Sequence, residues 1–128
     1  MARLAKETIT RLATVAGLSL NVATKQTLIT VPTGVNGMVV TKVVFRNASA
    51  SAAAATAALG GNASANDWKT LVNFTNLTTT TRAITVTPET INATPVAHET
   101  FVPGTAFGID VGTLAAVTVT CDVFGYYF

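Results

Sequence analysis

The only histidine, His98, stands beside Glu99 in VAHETF, and an imidazole next to a carboxylate can serve as a general base or ligate a metal. The surroundings support neither role. A zinc-type site needs three or four closely spaced ligands, whereas one His, one Cys and six carboxylates are scattered over 128 residues. His98 therefore reads as a surface-loop residue. A nucleophilic Cys121 would need an activating base and partial exposure, but it falls in the alternation Val117, Val119, Cys121, Val123 and reads as a small core side chain. Being single, it excludes an internal disulfide and fits synthesis in a reducing cytoplasm. Asp110 and Asp122 could flank a glycosidic bond if their strands were neighbours, yet carboxylates on the wet face of a strand ordinarily serve to solvate it. Gly60-Gly61 lacks the following helix that a phosphate cradle requires and reads as a turn. The expectation is a protein without catalytic residues, metal or cofactor.

Binding chemistry is a second possibility. Trp68 with Asp67, and the run Tyr126-Tyr127-Phe128, could form an aromatic platform for a sugar, although such clusters more often anchor an interface or a core. Five Asn-x-Ser/Thr triplets begin at Asn47, Asn62, Asn73, Asn76 and Asn92. They read as strand ends and turns, where Asn bonds its own backbone and Thr favours the pleat. The basic residues Arg3, Lys6, Arg11, Lys25, Lys42, Arg46, Lys69 and Arg82 form no run, and the net charge is only +2, so nucleic-acid binding is not expected.

The elements that would position these residues are strands. Leu28 to Val31 is a β-branched run closed by Pro32; PTGVNG follows as a turn, and Met38 to Arg46 alternates, so the stretch predicts a β-hairpin. Its faces are Val39, Thr41, Val43, Phe45 against the wetter Val40, Lys42, Val44, Arg46. The same period recurs in Trp68 to Phe74, Arg82 to Thr87, Phe107 to Val111 and Val117 to Val123. Gly- and Thr-rich connectors separate them at sandwich-like intervals. Ala50 to Leu59 has the alanine content of a helix but no amphipathic stripe, and is expected to be a strand packed closely on a neighbour. The prediction is an all-β protein with one antiparallel, jelly-roll-like β-sandwich over residues 21–128. Residues 1–20 form an N-terminal arm, extended or a short helix, that docks on a neighbour.

Composition points to a covered surface. Charged residues make up 11% of the chain, against about 25% in an average soluble domain, and the mean hydropathy is +0.48. No window approaches the roughly 18 apolar residues of a membrane-spanning helix, and the N-terminal segment lacks the apolar core of an export signal. Burial of apolar surface against other chains is the remaining option. The residues expected at such an interface are Leu4, Leu12, Val15, Val40, Val44, Trp68, Tyr126, Tyr127 and Phe128.

The succession LITVPTGVNGMVVTKVVFRNAS, a small-residue segment with GGN and DW, GTAFGIDV and the closing VTVTCDVFGYYF resembles small virion-associated β-sandwich proteins of tailed bacteriophages. The likeness rests on Thr30-Val31-Pro32, Val44 to Asn47 and Asp122 to Tyr126, and runs from about Leu18 onward. It implies a structural protein on the virion surface, made in the host cytoplasm. A capsid decoration or cement protein that binds the major capsid protein as a homotrimer is the first expectation. A receptor- or carbohydrate-binding module of a head fibre or tail accessory is the alternative, using loops such as Gly60 to Trp68 and Asn92 to Phe101. No catalytic residue is implied, nor a nucleic-acid or membrane partner.

Overall fold

A computed structural model describes residues 8–89 and 100–128, and these residues form strands and connectors with no helix. In chain order the strands are β1 (Thr10–Ser19), β2 (Gln26–Thr30), β3 (Met38–Arg46), β4 (Thr56–Gly60), β5 (Lys69–Asn73), β6 (Ala83–Val86), β7 (Thr100–Phe101), β8 (Ala106–Thr113) and β9 (Thr118–Tyr127). They make two antiparallel sheets. The first runs β1-β9-β3-β6, with the short β7 also on β3, and the second runs β2-β8-β4-β5. The all-β sandwich expected from the period-two patterns is the observed architecture.

Both sheets contribute their apolar faces to one core. From the first sheet come Val43, Phe45, Val119, Cys121 and Val123; from the second come Leu59, Val72, Phe107, Ile109 and Val111. Phe45 meets Phe74 edge to face at 5.0 Å between ring centroids, tying β3 to the end of β5. Trp68 crosses the sandwich, and its indole Nε1 donates to the Val40 carbonyl at 3.0 Å. Among the described residues no buried side-chain nitrogen or oxygen lacks a hydrogen-bond partner.

The predicted hairpin is not one. β2 pairs with β8 and β3 pairs with β9, so residues 31–37 carry the chain from one sheet to the other. Val31 continues the β2 side by bonding Gly104 and Thr105, while Asn36 and Gly37 donate to the carbonyl of Phe128 at 2.7 and 3.3 Å. A Cβ on Gly37 would meet the far edge of the exposed Phe128 ring, which would have to shift to admit it. The four described residues with positive φ are Gly17, Asn47, Ala65 and Gly104, none of them in PTGVNG.

The faces of β3 also differ from simple alternation. The ladder between β3 and β9 slips between Val40 and Lys42, leaving Thr41 as the extra residue of a bulge. Met38 and Val40 therefore join Val43 and Phe45 in the core, and Val40 is fully buried rather than facing a partner. Opposite this bulge, a Cβ on Gly125 would collide with the Val39 carbonyl.

Thr10–Ser19, expected within an arm that docks on a neighbour, is instead the outermost strand of the first sheet, paired with β9 of its own chain. Its pattern was hard to read because it carries two irregularities, one at Leu12 and one at Ala16-Gly17. Gly17 takes the left-handed conformation, φ 65°, that the second demands. Within Ala50 to Leu59, only the part from Thr56 is strand; Ala52 and Ala55 are buried in a turn held by Ala55 N–H to Ala52 carbonyl at 2.9 Å.

Candidate functional site

The outward face of the first sheet carries a connected set of polar, charged and aromatic side chains. Three cross-strand rows define it. Arg11, Phe124 and Lys42 are register partners; Thr14, Asp122, Val44 and Thr85 form the next row; Thr120, Arg46 and Ala83 form the third. β9 lies at the centre of these rows, so each of its outward residues has neighbours from β1 and β3.

Asp122 is the anchor of the face. Its Oδ2 accepts from Arg46 Nε at 2.7 Å, and its Oδ1 accepts from Thr14 Oγ1 at 2.7 Å. The Asp122 side chain is only 6% exposed, against 43% for Arg46. The Arg46 hydrogen bond is the largest influence holding the Asp122 carboxyl below the usual range; burial opposes it, and the Thr14 hydroxyl and the charges of Arg46 and Arg11 assist. The same hydrogen bond raises the already high pKa of Arg46. Next to this group, Lys42 Nζ sits 4.7 Å from the centroid of the Phe124 ring.

The expected interface residues divide among three environments. Val44 and Tyr126 are half-buried on or beside this face. Leu12, Val15 and Tyr127 are half-buried but pack against the core of their own chain, and that burial raises the Tyr127 pKa. Phe128 is exposed beyond β9, its backbone bonded to residues 36 and 37. Val40 and Trp68 are core residues, Trp68 being 2% exposed and edge-on to Phe107 at 5.7 Å, so the aromatic platform with Asp67 does not form. Asp67 instead accepts the Gly61 N–H at 2.7 Å. Leu4 lies outside the described residues.

The chemical candidates are not brought together. Asp122 is on β9 of the first sheet and Asp110 on β8 of the second, so they do not flank a common cleft. Cys121 is fully buried, and burial, reinforced by the Asp122 charge, pushes its thiol up to about 12. His98 and Glu99 lie outside the described residues. Among the described residues no group of three or more His, Cys, Asp or Glu could hold a metal, and no helix is long and apolar enough to cross a membrane.

Two features escaped the sequence reading. The Arg46–Asp122–Thr14 group joins residues 108 positions apart, and only the pairing of β1 with β9 reveals it. An open groove of about 290 Å³ lies where β5 and β6, the outer strands of opposite sheets, approach each other; Leu71, 54% exposed, and half-buried Ile84 line it. Beyond β6, Glu89 ties the chain to β5, accepting from Thr70 N–H at 2.8 Å and Thr70 Oγ1 at 2.6 Å while donating its own N–H to the Trp68 carbonyl at 3.0 Å. Comparison of the chain with known protein families, curated proteins and solved structures finds no match.

Proposed function

We propose that this chain is a non-enzymatic structural protein of a bacteriophage virion, a capsid decoration or cement protein that binds the major capsid lattice and stabilises the head. The observation that carries the reading is the first sheet's outward face, which combines half-buried Val44, Phe124 and Tyr126 with a hydrogen-bonded Arg46–Asp122–Thr14 group. Such a mixture of aromatic, aliphatic and Arg side chains matches the composition of protein interfaces. A strand order of β1-β9-β3-β6 over β2-β8-β4-β5, with the chain passing repeatedly between sheets, supports the jelly-roll form. The low charge content supports a surface that is covered in use. Assembly as a homotrimer at threefold positions of the lattice belongs to the same reading.

The receptor- or carbohydrate-binding alternative loses its best residue, because Trp68 faces the core rather than a ligand. The deciding experiment adds purified protein to capsids stripped of accessory proteins, then counts bound copies and measures the temperature at which the shells rupture. On the order of hundreds of copies with a raised rupture temperature is the expected result. A handful of copies at one vertex, or no change in rupture temperature, would reject the decoration role.

A further inference from the structure

We infer that the outward face of the first sheet docks on an acidic protein surface, with Arg11, Lys42 and Arg82 as the contacting cations. The inference deepens the capsid reading, on which it rests only for the identity of the partner.

Charge is unevenly divided between the two sides of the sandwich. The strands of the first sheet and the turn into β6 carry Arg11, Lys42, Arg46 and Arg82 against a single carboxylate, Asp122, an excess of three positive charges. The other described charges, Lys25 and Lys69 against Asp67, Glu89 and Asp110, leave an excess of one negative. Asp122 is already committed to Arg46 and Thr14, so it neutralises nothing that approaches from outside. The described residues give Arg11 and Arg82 no ion-pair partner, and Lys42 rests on the Phe124 ring without one. Lys25, on the opposite side, keeps its charge but is held against its own chain, its ammonium donating to the carbonyls of Ala106 at 2.7 Å and Asn62 at 3.0 Å.

The spacing favours a protein partner over a nucleic acid. Arg11 and Lys42 flank Phe124 on either side of β9, two strand spacings or roughly 10 Å apart, with aliphatic Val44 in the adjoining row. Separated cations around an apolar centre resemble the rim and middle of a protein interface, whereas a phosphate backbone is met by a continuous basic track. The same charges disfavour pairing of this face with itself in a second copy, which would set like charges opposite one another.

The full chain tests this with two soluble probes, poly-L-glutamate and duplex DNA, by biolayer interferometry at low and high salt, and separately with stripped capsids. The triple variant Arg11→Gln, Lys42→Gln, Arg82→Gln is compared with Lys69→Gln on the second sheet, their thermal melts confirming that both fold. The expected result is salt-sensitive binding of poly-L-glutamate that the triple variant weakens about tenfold or more and Lys69→Gln leaves within about twofold. Absence of poly-L-glutamate binding, tighter binding of DNA at equal charge, or equal losses in both variants overturns the inference. Capsids that bind the triple variant as well as the parent overturn it while leaving the decoration role standing. Poly-L-glutamate binding with no capsid binding rejects the decoration role and keeps the acidic-surface assignment.

Discussion

Replacing Trp68 by phenylalanine keeps a ring in the core but removes the indole N–H that reaches across the sandwich to the Val40 carbonyl at 3.0 Å. Val40 opens the β3 bulge, where the ladder to β9 is interrupted, so its carbonyl loses the indole donor at a point of weak pairing. Leaving a buried carbonyl without that donor costs about 1–3 kcal/mol. The smaller ring also leaves a void of order 40 Å³, about 1 kcal/mol at roughly 24 cal/mol per Å³. Trp68→Phe should therefore lower unfolding free energy by about 2–4 kcal/mol, a large share of the roughly 5–15 kcal/mol of an ordinary domain. Urea titration followed by far-ultraviolet circular dichroism measures the difference. Because Trp68 is the only tryptophan, its fluorescence in the parent protein gives a second readout: acrylamide should quench it only after unfolding. A loss below about 0.5 kcal/mol would refute the cross-sheet role, since it falls in the range of substitutions that touch nothing important.

Three further outcomes are expected. Asp122 has a folded-state pKa below its unfolded value, so its contribution is complete above the unfolded carboxyl range and disappears as pH falls towards the folded pKa. Acid titration of stability below the ordinary aspartate pKa of about 4 should accordingly be flatter in Asp122→Asn than in the parent, and parallel curves would contradict the Arg46–Asp122 linkage. The Cys121 thiol, fully buried and pushed up to about 12, should resist a thiol-labelling reagent at neutral pH until denaturant is added; prompt labelling of the native protein would contradict its core placement. Gly125→Ala should destabilise by about 1–3 kcal/mol in calorimetry, because its Cβ meets the Val39 backbone rather than a movable side chain, and an unchanged melting temperature would show that β3 and β9 can separate there.

Strand existence was legible wherever alternation was unbroken, as in β8, where Phe107, Ile109 and Val111 are all buried, and in the first half of β9. Alternation fails at bulges, which shift the phase by one residue and leave no mark in the pattern: Thr41 moved Val40 inward, and the irregularities at Leu12 and Ala16-Gly17 disguised β1 as an arm. Pairing partners were not legible either. The run from Leu28 to Arg46 has the local features of a hairpin, but the preference of β2 for β8 and of β3 for β9 is decided by faces that meet only in three dimensions. The candidate face was half legible. Lys42 and Arg46 marked it as wet, yet Asp122 on the same face is nearly buried because Arg46 and Thr14 converge on it from two other strands.

The position of β9 between β1 and β3 has a consequence for how the polypeptide reaches its native form. As these residues emerge from a ribosome, β1 and β3 are made long before the strand that joins them, and they wait with unsatisfied edges. The first sheet then closes in one late event that spans most of the chain, a high-contact-order step of the kind that takes on the order of milliseconds to seconds. Shortening the chain before residue 118 would leave a translation product whose early strands pair promiscuously, so aggregation, rather than a partly active fragment, is the natural outcome of premature termination.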